Sequence, residues 1–591
     1  MTRYLCLAGR SLSERIAALD LRPLETGGWR RRVDDPNLAV WTDGAAAIRR
    51  LAGGGVLVGE VFARPGLPPI DAPDTFAASL PRAAPEAGRR LVREAWGAYL
   101  AIFLEGPEDV RVLRDPAGGV DCLTWSMDGL AVVTSDLEAP PPGLLPRNAA
   151  LDWSAIADMF DDPISAVAQV ALAGIDAPLP GRLEAVGGAQ AAQTLWSPAK
   201  MAGRRVDDPD GEGLAALVDS CVRDLTRGHE RLVGEISGGL DSAIVSGSLV
   251  AVGGTAKAVS WLNFYGDRPE GDERRYAQAV ADHHGVRLTT IAKSYRPLSE
   301  EDFLPLCRNA RPAVNAADPF RDEETARRLR DANATGLLSG QGGDAVLFQP
   351  PTPLVLADRL QLEGWPALAS TTLVGAARLS RRSIWSVLWS TARVRRSAAP
   401  PPARLGLPAG WSRGERRYRH PWFVDGQHLP PAKRLQVQGI ANAQLARADS
   451  RRRRSGTLIY PLLAQPVVEH CLGVPTYQLA RAGRERGLAR HAFRSRLPAC
   501  IVDRRGKGDL SAFYGHMVAD SLAFLRPHLL DGVLCEAGLL DRAALDVLFS
   551  PEQLIWRGGA SGILQAAIIE SWVRHWQTRL PDAPSASRPR R

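Results

Sequence analysis

The segment Ser237-Gly238-Gly239-Leu240-Asp241-Ser242 constrains this chain more than any other. The apolar run Leu232-Val233-Gly234-Glu235-Ile236 leads into it, and an apolar helical pattern from Ala243 to Val250 leads out. It therefore reads as strand, tight loop and helix. Glycines let backbone N–H groups come close to an anion, and the start of a helix adds its positive end. Ser237 to Ser242 thus forms a phosphate cradle, and Asp241 within it can hold a magnesium ion, which prefers oxygen ligands. No Gly-Lys-Ser/Thr closes the loop, so it is not a Walker loop.

At 591 residues the chain is too long for one core, so at least two domains are expected. Residues 1 to about 195 read as short strands separated by Gly, Pro and Asp: 55–62, 97–103, 110–113 and 130–133. A polar stretch over 199–213 reads as a linker. From 214 the texture changes to strands at 231–236, 257–264, 287–291 and 335–339, alternating with helices near 214–227, 241–251, 273–284 and 321–332. That alternation is the pattern of a doubly wound parallel sheet. Beyond 350 the chain is mainly helical, ending in a helix near 561–578, and residues 581–591 read as a disordered tail.

The net charge of +8, largely from arginine, suits a phosphate-rich ligand or an acidic peptide as well as it suits solvated surface. Two basic runs stand out. The arginine-flanked segment 377–396 could lie on a membrane or grip a peptide, but Trp385, Val387, Leu388 and Trp389 are expected rather to pack into the helical region. Arg451 to Arg454 fits a site for triphosphate or for an acidic segment as well as it fits a solvated loop. Seven scattered cysteines form no C-x-x-C pair, which fits a reducing, cytoplasmic location. No signal peptide and no membrane-spanning run is read from the sequence.

Three further segments surround the loop in sequence order. Gly271-Asp272-Glu273 opens a helix with two acids in its first turn, where the helix dipole favours them. Leu337-Leu338-Ser339-Gly340-Gln341-Gly342-Gly343-Asp344 repeats the strand-to-glycine-loop arrangement, and parallel strands would bring Asp344 to the same edge, and the same magnesium, as Asp241. Asp503-Arg504-Arg505-Gly506-Lys507 ends in a lysine among glycines, able to neutralise charge on phosphates during reaction.

SGGLDS, the Asp-Glu-x-x-Tyr-Ala helix start, Ser-Gly-x-Gly-x-Asp, Tyr460-Pro461-Leu462-Leu463 and the late Arg-x-x-Lys, in this order, resemble the asparagine synthetase family of ATP pyrophosphatases. Trp96-Gly97-x-Tyr99, Arg114-Asp115-Pro116-x-Gly118, and Gly174-Ile175 with Pro180-Gly181 resemble that family's N-terminal glutaminase-type domain. The resemblance implies an α/β protein: a glutaminase-like (Ntn-type) β-rich α+β domain over 1–198 and a doubly wound PP-loop synthetase domain over 214–580. It implies ATP and Mg²⁺ as cofactors, with Asp241 and Asp344 as metal ligands and Lys507, Asp241 and Asp344 as catalytic residues. Nucleotide contacts would come from Ser237, Gly238, Gly239, Leu240, Asp241, Ser242, Ser260, Ser339 and Gly340, with Ser260 and Ser339 placed at strand ends beside the adenosine.

Departures from the family pattern narrow the chemistry. A working glutaminase needs a cysteine directly after the initiator methionine, but Thr2 stands there and the nearest cysteine is Cys6. The Asn-Gly-Glu that supplies an oxyanion donor is Val58-Gly59-Glu60. Gln341 replaces the usual Glu or Tyr, leaving the general base unassigned, and Ala345 replaces an acid. Without glutamine-derived ammonia, an amine within the substrate is the expected nucleophile, as in β-lactam synthetases and lasso peptide cyclases. The wording VGEVFARPG, RDPAGGVDC, SGQGGDAVL and IYPLL resembles the lasso cyclases most. That resemblance implies a precursor core peptide as substrate, with a leader peptidase and a leader-binding protein as partners. An ammonia-using asparagine synthetase, or a β-lactam-type cyclase of a small molecule, is the alternative. A tRNA-modifying PP-loop enzyme would leave the N-terminal domain unexplained, and no nucleic-acid partner is expected. A non-catalytic peptide scaffold is the remaining class.

Overall fold

A computed structural model describes residues 3–44, 46–188, 191–254, 258–316, 318–394, 419–506, 508–550, 552–556 and 558–580. Thr2, Lys507 and the tail 581–591, each read from the sequence above, lie outside the described residues.

The N-terminal part contains strands β1 (Tyr4–Ala8), β2 (Arg30–Asp35), β3 (Leu38–Thr42), β4 (Ile48–Arg50), β5 (Gly55–Ala63), β6 (Ala95–Leu104), β7 (Val110–Arg114), β8 (Leu123–Met127), β9 (Leu130–Thr134), β10 (Arg182–Ala185) and β11 (Gln193–Thr194). They form two antiparallel sheets in the orders β2-β3-β1-β9-β8 and β11-β10-β7-β6-β5-β4. Alternate residues of β1, β3 and β9 (Tyr4, Cys6, Val40, Val133) share one core with alternate residues of β5, β6 and β7 (Val56, Val58, Ile102, Val112), so the sheets stack face to face. Helix α1 (Ala84–Glu94) covers the outer face of the second sheet through Ala87 and Leu91, and α2 (Trp153–Asp161) covers the first through Ile156 and Met159. The result is four layers, helix–sheet–sheet–helix.

Within the stretch read as a linker, α3 (Pro198–Ala202) is a short helix that buries Ala199 and Met201. Next comes α4 (Glu212–Thr226). Its Leu214, Ala215, Val218, Cys221 and Val222 recur at three- and four-residue spacing and form its buried stripe. The second sheet-bearing part follows the βαβ pattern. Its strands β12 (Arg231–Glu235), β13 (Ala258–Tyr265), β14 (Leu288–Ala292), β15 (Gly336–Leu338) and β16 (Thr457–Ile459) run parallel in the order β14-β13-β12-β15-β16. Helices α5 (Leu240–Ala251), α6 (Arg274–His284) and α7 (Pro319–Asp331) connect them. Strand order reverses between β12 and β15. Such a switch point opens a crevice at the strands' C-terminal ends, and the loops after β12 and β15 are the two glycine loops of the sequence.

The remaining chain is helical. In α8 (Ile384–Val394) only one face packs: Val387 is buried, but Trp385 and Trp389 are 79% and 61% exposed. The expected packing of both tryptophans is not observed, because residues one helical turn apart share the face opposite Val387. The four-arginine run is a short helix, not a loose loop, and its ion pairs clamp the two halves. Arg453 pairs with Asp121 at 2.7 Å, and Arg454 pairs with Glu138 at 2.7 Å. Helices α9 (Ser511–Asp520) and α10 (Ala560–Gln577) close the C-terminal region, with Ile563, Trp572 and Trp576 buried as the sequence predicts. Glu570 of α10 is fully buried. It accepts from the N–H groups of Val533 (2.8 Å) and Leu534 (3.0 Å) and from Arg574 Nε (2.6 Å). Glu570→Ala strands all three donors at once and is expected to cost about 3–5 kcal/mol. Denaturant unfolding checks this; a loss below about 1 kcal/mol would contradict the role. Among the described residues, no helix is long and apolar enough to cross a membrane.

Candidate active site

Ser237 follows β12 directly, and the loop it opens is internally fastened. Ser242 Oγ accepts from the Ser237 N–H at 3.1 Å and donates to the Gly239 carbonyl at 3.2 Å, while the Gly239 N–H donates to Ser237 Oγ at 3.3 Å. Gly238 has φ +81°, and a Cβ there would stand 3.0 Å from the Glu273 carbonyl oxygen at the start of α6. Glycine is needed at this position both for its conformation and for its closeness to α6. Leu240 and Asp241 form the first turn of α5, whose N-terminus carries no side-chain cap. Its N-cap residue, Gly239, has no side chain to cap those N–H groups, which favours anion binding there.

The second loop lies against the first. A Cβ on Gly340 would fall 2.4 Å from the Ser242 nitrogen, and one on Gly343 would fall 2.6 Å from Asp241 Cγ. Asp241 and Asp344 are thereby drawn to one place, as parallel strands predict. The cation they share in the structure is a protein side chain. Arg486 Nη1 donates to Asp241 Oδ2 at 2.6 Å, and Asp344 adds to the field that raises the Arg486 pKa against the desolvation of burial. Arg486 adopts a left-handed conformation (φ 52°), and its N–H is tied to the Phe348 carbonyl at 3.0 Å. The sequence carries no signal for it beyond a general density of arginine.

Glu273, open on sequence between a helix start and a pyrophosphate or metal role, is a fastener here. It pairs with Arg504 and accepts from the Gly508 N–H, while Arg504 Nη1 donates to the Gly238 carbonyl at 2.9 Å. The Arg504 guanidinium lies 3.7 Å from the Tyr276 ring centroid. Arg504 is therefore held to the first glycine loop, and Gly508 to Glu273 at the start of α6 beside it. Asp272 instead pairs with its neighbour Arg274 at the exposed surface.

Ser339 follows β15 at the crevice, as expected, and its N–H donates to the Ile459 carbonyl at 3.1 Å. Ser260 is not brought there. It is the third residue of β13, opposite Val233 and exposed, and the strand runs five residues further. The residues level with the first loop are Leu262, whose carbonyl accepts from the Ile236 N–H at 2.9 Å, and Asn263, whose Nδ2 donates to the Ile236 carbonyl at 2.8 Å. Parallel register, which a motif comparison does not contain, decides this. Gln341 lies exposed at the tip of the second loop.

The groups present fit a nucleotide: an uncapped helix start, a glycine with no room for a side chain, and serines that hold the loop open. They fit magnesium with two carboxylates, Asp241 and Asp344, which is the number such an ion takes from protein when phosphates and water fill the rest. No group of three metal-ligating side chains is found among the described residues.

A glycine-built anion cradle at the switch point of a parallel sheet, with an acid in the first helical turn, defines an α/β nucleotide-binding protein of the non-Walker kind. A family model described as asparagine synthase matches residues 213–574. The chain belongs to the asparagine synthase family, and membership implies an ATP-dependent amide-bond ligase. Among solved structures, glutamine phosphoribosylpyrophosphate amidotransferase from B. subtilis, complexed with ADP and GMP, matches at 11% identity. That match covers 57% of this chain and 80% of the other, with a TM-score of 0.19, too low to carry an argument. No curated protein matches the chain.

Proposed function

We propose that the protein closes a macrolactam ring in a ribosomally made lasso peptide. The side-chain carboxyl of an Asp or Glu in the core peptide is adenylated with release of pyrophosphate. The peptide's own N-terminal amine then attacks that carbonyl: the C–N bond forms, the C–O bond to the phosphate breaks, and AMP leaves with the electron pair. ATP, bound with magnesium, supplies the electrophilic phosphorus. Ser237, Gly238, Gly239, Leu240 and Ser242 would hold the phosphates, Asp241 and Asp344 the metal, and Lys507 would neutralise developing charge. The chain's main contribution beyond electrostatics is to hold the two ends of a pre-folded peptide close together. A leader peptidase and a leader-binding protein would deliver that peptide, and the N-terminal domain would be a degenerate glutaminase.

The observation that carries the choice of an internal amine is the state of the N-terminal domain. Cys6, the cysteine nearest the chain start, lies in β1 with no exposure, between the stacked sheets. Burial and the neighbouring Cys122 push its thiol pKa far up, so it is not a nucleophile. Val58, in place of an oxyanion donor, is equally buried. Cys6→Ala is accordingly expected to leave product formation unchanged; a drop of tenfold or more with glutamine as nitrogen source would contradict this.

ATP–pyrophosphate exchange tests the reading, run with free aspartate, with a carboxyethyl-arginine-like acid and with a leaderless core peptide. Exchange with the peptide, and a product lighter by one water, supports it. Exchange with aspartate alone reassigns the protein as an ammonia-using synthetase, and exchange with the small acid alone as a β-lactam-type cyclase.

A further inference from the structure

Helix α8 presents a face that the nucleotide loops do not use. Its inner side is fixed: Val387, Ser390 and Thr391 are buried, and Val387 joins a core with Val355, Leu356, Ala376 and Leu379 of the two preceding helices. On the outer side Trp385, Trp389 and Ala392 form an exposed stripe at helical spacing. Ile384 and Leu388 flank the stripe on one margin and Arg393 on the other, with the Arg393 guanidinium 5.1 Å from the Trp389 ring centroid. Arg381 and Arg382 stand in the turn just before α8, where Arg381 ends the preceding helix (Thr371–Ser380) in a left-handed conformation.

The charge around the stripe has one sign. From Gly364 to Val394 the chain holds Arg378, Arg381, Arg382 and Arg393 and not one aspartate or glutamate. All four arginines are exposed, and none pairs with a carboxylate among the described residues. Elsewhere on this surface an arginine such as Arg359 is matched by an acid one helical turn away, Glu363 at 2.7 Å. The unmatched set therefore calls for an anionic partner.

The tryptophans decide what kind. With 79% and 61% of their surface open, the two rings project from the protein. A protein partner would have to offer a preformed hole for each, as at a well-packed interface. A lipid headgroup layer yields around a projecting ring, and indole partitions to that depth because it joins an apolar body to a polar N–H. Arginines beside it then meet lipid phosphates. A negatively charged bilayer satisfies both the rings and the charge.

We propose that α8 and the turn before it dock the protein on the surface of an anionic phospholipid bilayer. Trp385 and Trp389 enter the headgroup layer, and Arg381, Arg382 and Arg393 supply the attraction to phosphate. The helix lies in the plane of the surface, since its 11 residues are too few to span a bilayer. Because α8 contributes no residue to either glycine loop, docking is independent of the reaction proposed above.

Flotation of the full chain with two kinds of vesicle tests this: phosphatidylglycerol and phosphatidylcholine in equal parts, and phosphatidylcholine alone. The parent is compared with Trp385→Gln/Trp389→Gln and with Arg382→Gln/Arg393→Gln. All four side chains are exposed, so both double variants should fold, which thermal unfolding checks. The parent is expected to float with the anionic vesicles and not with the neutral ones, and to be released as salt is raised. Each double variant should bind the anionic vesicles about tenfold more weakly. No flotation, equal flotation with both vesicles, or parent-like binding by either folded variant overturns the proposal. The comparison of the two vesicles on the parent alone decides the matter should a variant fail to fold. Binding of an acidic amphipathic peptide in place of vesicles assigns the face to a protein partner. A dimer that the tryptophan variant cannot form, again in place of vesicle binding, assigns it to a second copy of the chain. Either result overturns the proposal.

Discussion

Asp241→Asn is expected to lower ATP–pyrophosphate exchange by about three orders of magnitude, equivalent to about 4 kcal/mol of transition-state stabilisation. The substitution preserves volume and removes one negative charge. Two consequences follow from the geometry. The site loses one of the two carboxylates able to hold magnesium, and Arg486, whose side chain is only 5% exposed, loses its 2.6 Å partner. Glu485, 3.0 Å from Arg486, still neutralises the guanidinium, so unfolding should shift by less than the 3–5 kcal/mol usual for breaking a buried pair. Exchange assays and thermal unfolding on the same preparation separate the two effects. Activity within about tenfold of the parent, or loss that merely tracks unfolding, would show that Asp241 is a structural anchor for Arg486.

Gly340→Ala is the second large effect. Its new Cβ would fall 2.4 Å from the Ser242 nitrogen and 2.5 Å from the Asp241 carbonyl carbon. These are backbone atoms of the other glycine loop, so no side chain can swing aside; the loops must part by close to 1 Å to restore contact distance. A displacement of that size at a reacting centre costs about 10²-fold in rate, and overpacking adds about 1–3 kcal/mol of instability. Gly228→Ala is the control, since a Cβ there meets nothing within 4 Å. Equal activity in Gly340→Ala and the parent would mean that the two loops need not touch for reaction.

Much of the fold was legible because its signals are local. The strands and helices expected between 214 and 339 lie within about two residues of β12 to β15 and α4 to α7, since periodicity and glycine punctuation act over a few residues. Where tertiary context decided, reading failed. Ser260 belongs to the middle of β13 because pairing with Val233 sets its register. Trp385 and Trp389 face outward because α8 has a packing partner on one side only. Arg453 and Arg454 pair with Asp121 and Glu138, far away in the chain, and no local pattern names those partners.

The sequence by itself determined where the chain turns, which loops are built of glycine, and that Asp241 and Asp344 would reach one sheet edge. It also carried Val58 and Gln341, where the family pattern has Asn and Glu or Tyr. Only the tertiary structure decided what meets those acids. Arg486 stands 245 residues from Asp241. Phosphate loops follow from backbone geometry, which neighbouring residues dictate. Buried charge must be matched by whatever the fold brings within hydrogen-bond distance, and that is a property of the whole packed chain.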